Sequence, residues 1–160
     1  MTQKPPLKAQ CLLIVTGQRD LDTLKPAEEL FKTFNVTVYR QNWPSKGSER
    51  ARLAELNIPT LVAATESSSL PKRVSFHFRR PVWGVTAMPS TTLATAKTLT
   101  RLFASVETGN VGVLAVGEAG ARNAALAIIS ALALSDPRLD RAYQVFRQQQ
   151  TQKVLKSKLP

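Results

Sequence analysis

The sequence predicts an α/β fold: a three-layer α/β/α sandwich on a doubly wound parallel sheet. Three observations predict it. Short, unbroken apolar runs such as Cys11-Leu-Leu-Ile-Val15 recur along the 160 residues, and such runs suit strands buried on both faces. Segments with helical periodicity alternate with them, the order that covers a parallel sheet with helices. Finally, the run Val113 to Val116 stops at Gly117, Gly120 follows, and an alanine-rich stretch continues to Leu134. A strand, a tight glycine turn and a closely packed helix account for that pattern.

Each element can be justified in order. Residues 1–9, with Pro5-Pro6, Lys4 and Lys8, read as a basic arm; residues 10–155 as a single domain; residues 156–160 as a basic tail. Cys11 to Val15 is the first strand and Thr16 to Asp20 its exit turn. Asp22 or Thr23 is placed to cap the next helix, with Pro26 in its first turn. Leu24, Ala27, Leu30, Phe31 and Phe34 follow at helical spacing. Val36 to Tyr39 is the second strand, Gln41 to Gly47 a loop around Trp43-Pro44, and Glu49 to Leu56 a short helix. Thr60 to Ala64 is the third strand and Thr65 to Pro71 its exit loop. Residues 72–80 are basic, with Val74, Phe76 and Phe78, and fit either state. Pro81 to Val85 is the fourth strand, Met88 to Thr92 a loop, Leu93 to Phe103 a helix, and Val113 to Val116 the fifth strand. Asp136-Pro137 ends the alanine-rich helix, and a last amphipathic helix runs from about Leu139 to Leu155.

Composition narrows the classes. No apolar run approaches the roughly 20 residues of a membrane span. A lone cysteine, Cys11, leaves no internal disulfide, so the chain reads as cytoplasmic, with an organellar address left open. One histidine and one cysteine make no metal ligand set, and no metal or cofactor is expected. The net charge of +11 suits phosphate-bearing ligands, nucleic acid or an acidic protein. Its cations are spread in pairs, such as Arg50 with Arg52, Lys72 with Arg73 and Arg79 with Arg80. No nucleic-acid motif accompanies them. Solvated surface and subunit contacts are therefore favoured over nucleic acid.

In a doubly wound sheet, ligands sit beyond the carboxyl ends of the strands. The candidates there are Gly17, Asp20, Lys46, Ser67, Ser69, Gly117 and Gly120. The Gly117/Gly120 pair is weak as a phosphate loop and reads mainly as turn and packing. Asp20 is either an acceptor for ribose hydroxyls or a helix cap. Trp43 could stack on a base, whereas Trp83 reads as core. His77 reads as an ordinary, partly buried side chain.

The stretch Gly112-Val-Leu-Ala-Val-Gly-Glu-Ala-Gly-Ala-Arg-Asn-Ala-Ala-Leu126, with Ala131-Leu-Ala-Leu-Ser-Asp136 and the terminal helix, resembles the class I aminoimidazole ribonucleotide carboxylases. These are also called carboxyaminoimidazole ribonucleotide mutases and belong to purine biosynthesis. Fainter likeness covers Val15 to Asp20, Phe34-Asn-Val36, Ser69-Leu-Pro71 and Pro81 to Val85. The resemblance implies a flavodoxin-like sheet and a homo-oligomer, an octamer in the family, whose terminal helix reaches a neighbour.

The departures fall on the family's working loops. Its Gly-Ser-x-Ser-Asp loop is Gly17-Gln18-Arg19-Asp20 here, so only Gly17 and Asp20 carry over. Its catalytic histidine falls on Pro44 and its phosphate-binding arginine on Ser45, with Lys46 beside it as a stand-in charge. Its second histidine falls on Ser69. Its Gly-x-Gly-Gly loop is Ala63-Ala64-Thr65-Glu66, and its Met-Pro-Arg-Gly segment is Ser105-Val106-Glu107-Thr108. Moving a carboxylate from nitrogen to carbon calls for an acid and a base near neutral pH, which histidine supplies. Three functions follow as expectations. The first is a member that kept fold and assembly but lost catalysis, a structural or binding subunit, within a larger assembly or with a nucleotide ligand. The second is a working mutase with a rearranged site on Asp20, Lys46 and Met88 to Ser90. The third is a basic module for RNA or another polyanion.

Overall fold

The computed structural model describes residues 8–63, 69–87, 96, 97, 99, 100, 103, 104, 106 and 110–157. Within them the strands are β1 (Cys11–Val15), β2 (Val38–Asn42), β3 (Thr60–Ala63), β4 (Val82–Val85) and β5 (Val111–Gly112). All pair in parallel in the order β2-β1-β3-β4-β5, the flavodoxin-like doubly wound order. The helices are α1 (Gln18–Thr33), α2 (Gly47–Ala54), α3 (Leu70–Ser75), α4 (Gly117–Ala133) and α5 (Pro137–Lys156).

Strand periodicity explains why β1 is apolar throughout. Successive side chains point to opposite faces, and both faces are covered. Leu12 and Ile14 join Tyr39, Leu53, Val62, Val74 and Phe78 in one core. Cys11, Leu13 and Val15 join Leu24, Phe31, Ala121, Ala125 and Ile128 in the other. α1 and α4 pack on each other across that second core. The alanines of α4 permit this: Ala121, Ala124 and Ala125 are fully buried or nearly so. Burying a large aliphatic side chain such as Ile128 contributes about 1.5–3 kcal/mol.

Several boundaries differ from the sequence expectation. α1 begins at Gln18, behind an N-cap at Gly17, rather than after Asp22 or Thr23. Asp20 accepts from Thr16 N and Oγ1 at 2.7 and 2.5 Å, fastening the first turn earlier. Thr23 lies inside the helix, its hydroxyl donating to the Arg19 carbonyl at 2.8 Å, and Pro26 sits in mid-helix. β2 begins at Val38 because Val36 belongs to the end of α1. Asn35 takes φ 53°, and the Asn35 and Val36 N–H groups donate to the Lys32 and Phe31 carbonyls at 3.0 and 2.8 Å. This is a Schellman cap with asparagine in the left-handed position. α2 starts at Gly47, two residues before Glu49, and ends at Ala54. The basic segment 72–80 becomes the end of α3 and a turn that buries Phe78 and exposes Phe76.

The fifth strand is the largest correction. Only Val111 and Gly112 pair, opposite Val82 and Trp83, whereas Val113 to Val116 run on without a ladder and Leu114 is half-exposed. At a sheet edge with a neighbour on one side only, apolar character does not by itself hold a strand. The expected helix Leu93 to Phe103 and the loop Met88 to Thr92 lie largely outside the described residues.

Asp136 and Pro137 do mark a boundary. Asp136 caps α5, accepting from Arg138 N and Leu139 N at 2.9 and 3.3 Å. Leu139 is buried, and Tyr143 and Phe146 pack on Phe34 at ring distances of 6.2 and 5.4 Å. From Arg147 to Ser157 every residue is exposed. No helix among the described residues is long and apolar enough to cross a membrane.

Candidate functional site at the carboxyl edge of the sheet

The parallel order sends every strand's exit loop to one edge. The chain leaves β1 and β3 toward opposite layers, making the switch point between them. At the β1 exit, Gly17 has extended backbone, and a Cβ there would meet nothing within 4 Å. Asp20 is buried, with 1% of its surface exposed. Its carboxylate takes the Thr16 amide and hydroxyl, so it serves the loop it stands in. A carboxylate reaching back over a helix N-terminus also meets the positive end of the helix dipole.

At the β2 exit, Pro44 is buried and Ser45 and Lys46 are exposed. Arg50, one turn into α2, closes the loop. Its Nε donates to the Pro44 carbonyl at 2.8 Å and its Nη2 to the Ser45 carbonyl at 2.6 Å. The guanidinium also lies 5.5 Å from the centre of the Trp43 ring. Lys46 is the N-cap of α2, in extended backbone. Trp43 packs further against His77 and Phe78, at ring distances of 5.6 and 6.4 Å. Its Nε1 is buried without a partner among the described residues.

Ser69, at the β3 exit, is an exposed N-cap whose side chain makes no capping bond; Ser67 and Glu66 lie outside the described residues. At the β4 exit, the Thr86 carbonyl accepts from Gly117 N at 2.7 Å, joining β4 to the start of α4. Gly117 takes φ 63°, where a side chain is strained. A Cβ on Gly120 would stand 2.3 Å from the Ala115 carbonyl oxygen. Both glycines are thus required by the turn itself.

The edge therefore brings Pro44 and Ser45 under Arg50, and Thr86 against Gly117. It does not add an imidazole: His77 is exposed in the turn after α3, not partly buried as expected. Arg50 and Thr16 are the residues that sequence reasoning missed. No local motif marks an arginine that reaches back to carbonyls five and six residues earlier. Among the described residues no three metal-ligating side chains stand together.

No family model matches the chain. Curated relatives do. The N5-carboxyaminoimidazole ribonucleotide mutase of Escherichia coli K12 is 30% identical over 159 residues, covering 95% of this chain and 94% of its own. Those of Aliivibrio fischeri and Haemophilus influenzae are 29% and 30% identical, each over 92% of this chain. The chain belongs to the N5-carboxyaminoimidazole ribonucleotide mutase family. The Treponema denticola PurE crystal structure shares its fold, with a TM-score of 0.71 at 14% identity over 91% of this chain and 93% of that one.

Pro44, where the resemblance led the family's catalytic histidine to be expected, is buried, and Arg50 holds its carbonyl. Ser45 and Ser69, the positions expected for the family's phosphate-binding arginine and second histidine, are both exposed. At the β1 exit, Gly17 keeps open space beside it, and Asp20 is turned onto Thr16.

Proposed function

We propose that this chain is a mutase-family member without carboxylate-transfer catalysis, serving as a structural or ligand-binding subunit of a homo-oligomer. The observation that carries the reading is Pro44 under Arg50. Nitrogen-to-carbon transfer of a carboxylate needs a group that gives and takes a proton near neutral pH. Pro44 has none, Ser69 offers an ordinary hydroxyl, and the Asp20 carboxylate is engaged by Thr16. The open space beside Gly17 at the β1 exit supports retained nucleotide binding.

Assembly draws support from α5. Among the described residues its last turns have no cover, and Val154 and Leu155 are 70% and 73% exposed. A surface of this kind calls for a second copy. Light scattering on the intact chain and on a chain truncated after Asp136 tests it; an unchanged particle mass on truncation counts against it.

Turnover is the deciding experiment. Purified protein is given N5-carboxyaminoimidazole ribonucleotide, with an active relative as control. The expected result is no product above the uncatalysed rate. Turnover abolished by Asp20→Ala would establish the second reading, a working mutase, which the names of the relatives favour.

A further inference from the structure

Along the chain the cations come in separated pairs, but the fold gathers them. α2, α3 and the turns after them form one layer on the β1–β3–β4 face, sharing the core of Leu53, Leu70, Val74 and Phe78. That layer carries Arg50, Arg52, Lys72, Arg73, Arg79 and Arg80 against Glu49 and Glu55. No ion pair joins these charges among the described residues. α1, on the opposite face, carries four carboxylates to three cations. The α2–α3 layer thus holds six cations to two carboxylates, whereas α1 beneath the other face is near balance and α5 carries its own five cations to one carboxylate.

A groove crosses this layer. Gly47, Ala51, Ala54, Glu55 and Asn57, from α2 and the turn after it, line it together with Phe76, His77 and Arg79, so its lining holds one carboxylate as well as one arginine. The Arg80 Nε donates to Asn57 Oδ1 at 3.1 Å, tying the two walls together. Phe76 is 68% exposed at the rim. A large aromatic ring left in water among arginines is poor surface for a protein that stays alone.

We propose that the α2–α3 face binds single-stranded nucleic acid, with Arg52, Lys72, Arg73 and Arg79 on phosphates and Phe76 against an unstacked base. Five of the six cations are arginine, whose planar fork matches phosphate geometry better than an ammonium does. A single strand tracks a basic groove and stacks bases on exposed rings without a sequence code. A duplex hides its base faces, and α2 and α3 are helices of eight and six residues, short for groove reading. An acidic protein would satisfy the charges but leave the ring without a specific role.

The test is fluorescence anisotropy of a labelled oligouridylate of about 20 nucleotides on the intact protein, from about 50 to 200 mM salt. Four phosphate contacts give a slope of log affinity against log salt of about −3. Arg73→Glu with Arg79→Glu, both exposed and checked by circular dichroism, weakens binding about tenfold or more and flattens the slope by about 1 or more. Phe76→Ala weakens it about fivefold and leaves the slope unchanged. Arg141→Glu with Lys153→Glu, on α5, leaves affinity within about twofold, a small fraction of the two-contact loss. Three outcomes overturn the proposal: no binding at the lowest salt, an equal loss from the α5 pair, or polyglutamate competing as well as the oligonucleotide. The last would assign the face to an acidic protein.

Discussion

The Arg50 Nε donates to the Pro44 carbonyl oxygen at 2.8 Å, and this single bond sets the path of the β2 exit loop. Arg50→Ala removes it together with the bond to Ser45 and the stacking on Trp43. A hydrogen bond from a charged donor contributes about 1.5–3 kcal/mol and partial exposure trims this, so a loss of about 1–2 kcal/mol is expected in urea unfolding. Lysine recovers little, because it cannot fork between two carbonyls. A tryptophan emission spectrum unchanged in Arg50→Ala would show that the loop stands without it.

The glycines at the carboxyl edge separate into two kinds. Gly120→Ala forces a Cβ against the backbone of Ala115 and costs about 1–3 kcal/mol or more. Gly17→Ala meets open space in extended backbone and costs at most about 1 kcal/mol, the N-cap preference for Gly over Ala. Thermal unfolding of the two variants reads the contrast. A ligand whose affinity falls in Gly17→Ala, at unchanged stability, would locate binding at the β1 exit.

Burial in the central strand pushes the Cys11 thiol well above its usual range, against the smaller opposing effect of a backbone hydrogen bond. The thiolate is the nucleophile, so a disulfide reagent should label native protein about a thousandfold or more slowly than urea-unfolded protein. Rapid labelling of the native chain would mean that β1 opens locally.

The Asp136 carboxyl is held below the usual carboxylate range, first by the Arg138 backbone N–H and then by that of Leu139. A folded value below the unfolded one, about 3.9, contributes stability that is complete above the unfolded value. That stability is lost as pH falls through the folded one. Asp136→Asn keeps the cap acceptor but not the titration. Its melting temperature should fall less than that of the parent chain as pH drops below about 4; parallel curves would refute the assignment.

Most of the frame was legible in the residues. β1, β3 and β4 announced themselves because apolar runs buried on both faces leave no ambiguity of period. α4 was legible from its small residues, and the α5 boundary from Asp136-Pro137. What was not legible depended on contacts distant in the chain or on caps with unusual residues. Nothing in Thr16 to Asp20 says that the carboxylate turns back on Thr16, so the sequence places the start of α1 too late. Asn35 in the role of a glycine hid the end of α1 and shifted β2. Val113 to Val116 look like a strand, but pairing is decided by the neighbour, and β4 offers one only to Val111 and Gly112. At the site, the grip of Arg50 on the loop was not legible, because it joins residues five and six positions apart with no local motif.

The sheet ends in two unlike margins, and this bears on solubility at high concentration. At one margin β5 offers just two paired residues, too short a template for another molecule's strand to extend. At the other, β2 carries the exposed Arg40, which is paired with Glu28 and places charge where a foreign strand would have to lie. Neither margin invites lateral growth into a continuous sheet. The chain can therefore be crowded without strand-on-strand polymerisation, and contact between copies is left to its helices.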